Sequence, residues 1–267
     1  MSRWRRMVTG ARSAASVIAA AAALAIAGMG GATRALAVEP GAYLYVEGGH
    51  SHGMLVVKGG RFEIETIGGN CHTCSVSGTL KGGTAVATDG GETCRLSMTG
   101  SQGALNVDSR GSEGCRAYCG MRAVLDGQYR RPPAACEDGA RAKRHAQARA
   151  LYAKKDYAAA ATGFSSLIGE CSTFMDWIEV DSVRSDLALT QYHLGDNARC
   201  LATLAPTVAM QNGGGDDSAD RADQADQAGQ SAQDADFGLP PCDADNYRAT
   251  GKAIRYNAAL CKAPREK

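Results

Sequence analysis

The chain has 267 residues, with 29 lysines and arginines against 28 aspartates and glutamates, and 44% of its residues are apolar. It is long enough to bury a real core, so its ten cysteines would reinforce a fold rather than substitute for one. Near-neutral charge gives no footing for a nucleic-acid binder, which shows itself as a basic patch.

Residues 1–37 read as a secretory signal peptide. Arg3, Arg5, Arg6 and Arg12 form a basic leader, Ala14 to Met29 is an almost uninterrupted apolar run, and Ala35-Leu36-Ala37 supplies a small-x-small cleavage pattern. Cleavage is expected between Ala37 and Val38. A transmembrane anchor is the competing reading, but the run is Ala-rich and shorter than the ~20 residues that comfortably cross a bilayer. Cleavage leaves 24 basic and 28 acidic residues, a net charge of −4, which is compatible with a cationic partner. The protein is expected to be periplasmic or secreted and not membrane-embedded. In such a compartment an even number of cysteines favours disulfides over free thiols.

Residues 38–136 have a β texture. Short stretches such as "GMLVVKGG", "RFEIETIGG", "CSVSGTLKGG", "TAVATDGG", "TCRLSMTG" and "GALNVDSRG" follow one another without a crossover helix. Phe62 and Ile64 show period-two spacing, and Gly59-Gly60, Gly82-Gly83 and Gly90-Gly91 are hairpin signals. Seven or eight such strands predict a small antiparallel barrel or sandwich.

Residues 138–210 have a helical texture, so the fold class is α+β, with a β domain followed by an α-helical one. Asp156-Tyr157, Ala160 and Phe164 align with Asp196-Asn197, Cys200 and Leu204. In each copy an Asp-containing turn precedes a small and a large residue four apart, which share one helix face. This resembles the tetratricopeptide repeat over about Ala142 to Pro206, although the copies are 40 residues apart rather than about 34. Residues 211–236 are acidic and low in complexity, the composition of a disordered linker. Residues 237–267 are expected to form a capping helix.

If that last helix is continuous, Cys242 and Cys261 are ~28 Å apart, too far to bond to each other. Each is then expected to reach back to the repeats, as Cys200–Cys242 and Cys171–Cys261 or the crossed alternative. In the β domain Cys74 is expected to bond Cys94, about one hairpin away. Cys71, Cys115, Cys119 and Cys136 remain in unknown order.

The Cys71-His72-Thr73-Cys74 motif invites a chemical reading. A redox dithiol needs a helix N-terminus at its nucleophilic thiol, and "SVSGTLKGG" after Cys74 is β-prone. A c-type haem needs histidine directly after the second cysteine, where Ser75 stands. Zinc could use Cys71, Cys74, Cys115 and Cys119, in competition with disulfide formation. His50, His52 and His72, with Met54, are a candidate soft-metal set, since His50, His52 and Met54 fall on one strand face. Ser77-Gly78 and Asp126-Gly127 read as strand-end turns. No paired carboxylates or nucleophile motif stands out, so no enzyme activity and no cofactor are expected.

"NCHTCSVSGTL", "CRAYCGMRAVLDGQY" and Cys136 together resemble the N-terminal part of exported bacterial lysozyme-inhibitor-like proteins over about Arg61 to Cys136. The resemblance implies a small disulfide-bonded barrel, and the partner expected is a protein of the cell envelope or host, with lysozyme as one candidate. Better-characterised periplasmic inhibitors of chicken-type lysozyme, also small disulfide-bonded barrels, project a Ser-Gly-x-x-Tyr loop into the enzyme cleft, whereas here Ser77-Gly78 is followed by Thr79-Leu80-Lys81. The function expected is a non-enzymatic, exported protein-interaction module. The alternative is a metal-binding or thiol-disulfide redox protein of the cell envelope.

Overall fold

Strict alternation builds the first half of the molecule. In the strand Arg61–Ile67, Phe62, Ile64 and Thr66 are buried while Arg61, Glu63, Glu65 and Ile67 face out. The same period runs through its neighbours, and the computed structural model closes them into an eight-stranded antiparallel barrel. It describes residues 38–48, 52–89, 92–212 and 237–263. The expected signal peptide, His50, the Gly90-Gly91 turn and most of the expected linker lie outside those residues.

The strands are β1 (Gly41–Tyr45), β2 (His52–Lys58), β3 (Arg61–Ile67), β4 (Thr73–Lys81), β5 (Thr84–Asp89), β6 (Glu92–Ser101), β7 (Ala104–Asp108) and β8 (Gly127–Arg130). Each pairs with the next, and β8 returns to β1 through Leu44 opposite Arg130 and Tyr45 opposite Tyr129. Gly59-Gly60 and Gly82-Gly83 both hold positive φ, the turn geometry that matches the twist of the strands they join. Tyr43, Leu55, Phe62, Ile64, Leu96, Met98 and Tyr129 fill the interior. Eight strands leave a lumen just wide enough for side chains, and here side chains occupy it.

A short helix, α1 (Glu113–Arg116), sits between β7 and β8 and brings Cys115 and Cys119 to the barrel. Cys94 bonds Cys115 and Cys74 bonds Cys119. The expected Cys74–Cys94 bond is therefore corrected. Strand β5 lies between β4 and β6, so the two residues sit two strand spacings apart, about 10 Å, beyond disulfide reach.

The helical half comprises α2 (Asp138–Ala153), α3 (Tyr157–Cys171), α4 (Trp177–His193), α5 (Asn197–Leu204), α6 (Val208–Gln211) and α7 (Pro241–Lys262). Asp156, Asp176 and Asp196 cap α3, α4 and α5, each accepting the backbone N–H three residues on. Such caps satisfy one of the four amides a helix start leaves open. Ala160, Phe164, Cys200 and Leu204 are all buried. The fold is thus α+β, an antiparallel barrel joined to a helical region.

The two halves share a core. Tyr43 and Tyr45 point into the barrel, but Leu44 between them points out and is buried with Phe164, Phe174 and Val183 of the helices. The Arg130 guanidinium lies 6.0 Å from the Phe174 ring centre, a cation–π contact across the same junction. Barrel and helices accordingly belong to one compact unit.

Helix α7 runs unbroken through Gly251, where a side chain would collide with the Phe237 ring. At 22 residues it is about 33 Å long and spans from α5 to the barrel. Its far end is bonded through Cys200–Cys261 and its near end through Cys71–Cys242, while Cys136 bonds Cys171. The expected Cys200–Cys242 and Cys171–Cys261 bonds are corrected, and of the crossed alternative Cys200–Cys261 forms while Cys171–Cys242 does not, because α7 meets the barrel with one end and α5 with the other. All ten cysteines are paired, as expected of a chain folded in an oxidising compartment. Among the described residues no helix is long and apolar enough to cross a membrane.

Candidate functional site

The loop between β3 and β4 forms the barrel's side of the site. Residues Gly69–Cys71 form a single 3-10 turn in which Asn70 and Cys71 both take positive φ, 58° and 56°. Asparagine tolerates that conformation better than most residues, whereas cysteine is strained in it, at a cost of about 1–2 kcal/mol. The loop keeps this shape because it is bound to the start of α7.

Pro240, the residue preceding α7, offers no side-chain cap. Asn70 supplies one from 172 positions away, since its Oδ1 accepts the Cys242 N–H at 3.0 Å. In return the buried Asp243 carboxylate accepts the Asn70 N–H at 2.7 Å. Two open amides are satisfied reciprocally, the logic of a capping box, but here between a barrel loop and a distant helix. Asp243 also places its negative charge at the positive end of the helix. The Cys71–Cys242 disulfide, with Cα atoms 5.8 Å apart, closes the joint covalently. Asn246 Nδ2 donates to Cys71 Sγ at 3.3 Å.

Beside this joint two adjoining cavities of about 430 and 410 Å³ form a cleft between the barrel's outer face and the helices. His52 and Ile67, paired in register on β2 and β3, line both. Trp177 and Ile178 from α4 face them across the first, and Met54 continues the barrel wall in the second. Ile67 and Met54 are 48% and 41% exposed, so a sizeable apolar surface remains open to water.

The rim is acidic. Glu65, Asp138, Asp176, Glu179 and Asp243 line the two cavities, and among the described residues no lysine or arginine does. Behind the rim the buried Arg141 donates to both Glu179 carboxylate oxygens, at 3.1 and 3.0 Å, and contacts Asp138 at 2.9 Å. Burial pulls the guanidinium down, but the Glu179 and Asp138 partners outweigh it and its affinity for the proton rises. Asp176 is engaged as the α4 cap, and Glu65 stands exposed opposite Met54.

The predicted metal set is described only in part. His50 lies outside the described residues, and His52 lines the cleft. His72 packs against Gly120, where an added side chain would meet its Nδ1. Among the described residues no group of three or more histidines, cysteines or carboxylates is placed to hold a metal ion. The zinc set considered from Cys71, Cys74, Cys115 and Cys119 is occupied by disulfides.

Of the two predicted strand-end turns, Ser77-Gly78 changes meaning, while Asp126-Gly127 does lie at the start of β8. Ser77-Gly78 lies inside β4, paired with Glu63 and Phe62, and a side chain at position 78 would run into the Val86 carbonyl. That glycine serves strand contact. Asp126 accepts from the Ser109 N–H and from Ser109 Oγ, the latter at 2.7 Å, which fixes the chain on entry to β8.

Sequence reasoning missed Asn70, Asp243, Ile67 and Trp177. The one visible signal was "GGN" before Cys71, which suits a left-handed turn but names no partner. Comparison with protein-family models, with curated proteins and with solved structures finds no match.

Proposed function

We propose that the protein is a non-enzymatic, exported protein-interaction module that grips a cationic segment of its partner in the barrel–helix cleft. The observation that carries this reading is the pairing of an open apolar floor, Ile67 and Met54, with a lining of five carboxylates, Glu65 exposed and two others shared with the buried Arg141, and, among the described residues, no lining lysine or arginine. Apolar contact supplies affinity, while the rim selects charge and speeds encounter. The net charge of −4 after removal of residues 1–37 works in the same direction. Ten paired cysteines support a periplasmic or secreted site of action.

The repeating Asp-cap, small and large residues of α3 and α5 support a tetratricopeptide-like reading of the helices, whose role here is to carry one wall of the cleft. The resemblance to lysozyme-inhibitor-like proteins makes chicken-type lysozyme the first partner to try. Binding in this cleft would differ from loop insertion, because Ser77-Gly78 is held within a strand.

Calorimetry with lysozyme and with a decapeptide of alternating lysine and leucine tests the proposal. Ile67→Arg places a cation on an already exposed position and is expected to weaken both about tenfold or more, since like charge and lost apolar contact act together. Loss of muramidase activity in the wild-type complex supports the inhibitor form. No interaction with either probe at micromolar concentration removes the reading.

A further inference from the structure

We infer that the Cys71–Cys242 disulfide is a reducible latch that holds the cleft in its binding shape; the link to binding rests on the function proposed above. Three observations set this bridge apart from the other four. Both of its cysteines are partly exposed, whereas every other bridge has at least one fully buried cysteine and three have two. It is the one bridge that ties a barrel loop to α7, and Cys71 lines the first cavity while Asp243, Asn246 and Thr250 form the adjoining wall. It also lies at the start of a 22-residue helix, with Cys242 in the first turn.

The position at the helix start makes the bond easier to reduce. A thiolate released at a helix N-terminus is stabilised, which lowers the cost of breaking the bond there. Cys71 lines the cavity and its Sγ lies 4.0 Å from the Asp243 carboxylate, while Asn246 Nδ2 donates to Cys71 Sγ at 3.3 Å and to Cys242 Sγ at 3.9 Å, so the attack falls on Cys71 for its place at the cavity. The reductant required is a dithiol, such as a dithiol oxidoreductase of the same compartment. Its thiolate attacks Cys71 Sγ and the Cys71–Cys242 bond breaks, so that Cys242 leaves as a thiolate and a mixed disulfide forms. The second thiol of the reductant gives up its proton and displaces Cys71 Sγ, which takes a proton from water. The reductant departs oxidised to its own disulfide, and the protein is left with two reduced cysteines.

The consequence is local. Cys200–Cys261 and the buried Tyr247, Ile254 and Ala258 still anchor α7. Its first turn is then held to the barrel by the Asn70–Cys242 and Asn70–Asp243 hydrogen bonds, without a covalent link. The wall bearing Asp243, Asn246 and Thr250 gains freedom, and a partner must order it again on binding. A pre-organised site avoids that cost, so reduction is expected to weaken the lysine–leucine decapeptide about tenfold.

The test uses the full mature chain and graded dithiothreitol under native conditions, with alkylation, peptide mapping and hydrogen exchange on the same samples. Cys71 and Cys242 are expected to be alkylated first, while the other eight cysteines stay oxidised. At that stage amides of residues 68–72 and 241–250 are expected to lose protection by tenfold or more, and those of residues 251–262 to keep it. Reduction of another bridge before this one, or unchanged exchange after selective reduction, overturns the latch. Decapeptide binding that is equally tight in both states overturns its control of the cleft. If the decapeptide fails to bind the oxidised protein, the docking reading fails, and labelling with exchange still decides the latch.

Discussion

Replacing Tyr247 by phenylalanine isolates the hydrogen bonds that lock α7 to α4 and α6. The Tyr247 hydroxyl donates to Asp181 Oδ2 at 2.7 Å and accepts the Ala209 N–H at 3.0 Å, while Asp181 also accepts the Val208 N–H at 2.9 Å. Val208 and Ala209 open α6, so two of its first-turn amides are satisfied by residues from other helices. Removing the hydroxyl leaves the ring in place between Trp177 and Phe237. It strips the buried Ala209 amide of its acceptor, which costs about 1–3 kcal/mol, and removes a bond to a carboxylate of similar worth. The two losses belong to one network and do not add in full, so the expected destabilisation is about 3 kcal/mol. For a chain of this size that lowers the melting temperature by about 6–12 °C. Thermal unfolding monitored by the helical circular dichroism signal, with disulfides intact, measures it. Tyr256→Phe, at a residue 65% exposed, is the control and is expected to change stability by less than about 0.5 kcal/mol. If Tyr247→Phe unfolds with its control, the hydroxyl does not bridge these helices and the account of their junction is wrong.

The phenols of Tyr129 and Tyr247 are both pushed well above their ordinary value, first by burial and then by nearby acidic groups, Asp126 and Asp181 among them. A raised folded value means that the unfolded chain ionises first. The stability these residues contribute is complete below about pH 10 and falls as pH rises beyond it. In an alkaline titration of phenolate absorbance, two of the nine tyrosines are expected to ionise only as the fold is lost. Reversible titration of all nine with the circular dichroism unchanged would count against the burial described here. A second pair of variants probes the loop that caps α7. Asn70→Gly keeps the left-handed backbone and loses only the cap, at about 1 kcal/mol, whereas Asn70→Ala adds backbone strain for about 2 kcal/mol in total. Chemical denaturation ranks them, and an alanine variant as stable as the glycine one would show that the loop does not depend on its positive φ.

Period-two alternation made most of the barrel legible in the sequence, because its strands bury one face and wet the other. Strand β1 escaped for the opposite reason. In "GAYLY" Tyr43 and Tyr45 face the barrel interior and Leu44 faces the helical core, so consecutive residues are all buried and the alternation disappears. The disulfides escaped because sulfur pairing depends on closure rather than spacing. Cys74 and Cys94 look like hairpin neighbours until β5 is placed between them, and Cys242 looks like a partner for α5 until the direction of α7 is known. The cleft was illegible for a related reason. Ile67, Trp177 and Asp243 stand far apart in the chain, and none belongs to a motif that chemistry demands.

The joint between barrel and α7 also explains why loss of one bridge need not unfold the molecule. Residues 71 and 242 are 171 positions apart, and in the chain-entropy picture a loop of that length gives its disulfide about 5 kcal/mol of stabilisation. That figure applies only if the intervening chain is otherwise free. Here Cys74–Cys119, Cys94–Cys115, Cys136–Cys171 and Cys200–Cys261 already subdivide it. With those bridges in place the additional constraint from Cys71–Cys242 falls mainly on the barrel–helix joint, since α7 is independently tied to α5. Its contribution to global stability is therefore smaller than its span suggests, while its effect on the position of Asp243 and Asn246 is direct. A bond that is partly exposed, sits at a helix start and adds little constraint to the core beyond the other four bridges is suited to setting the shape of the cleft rather than to maintaining the fold.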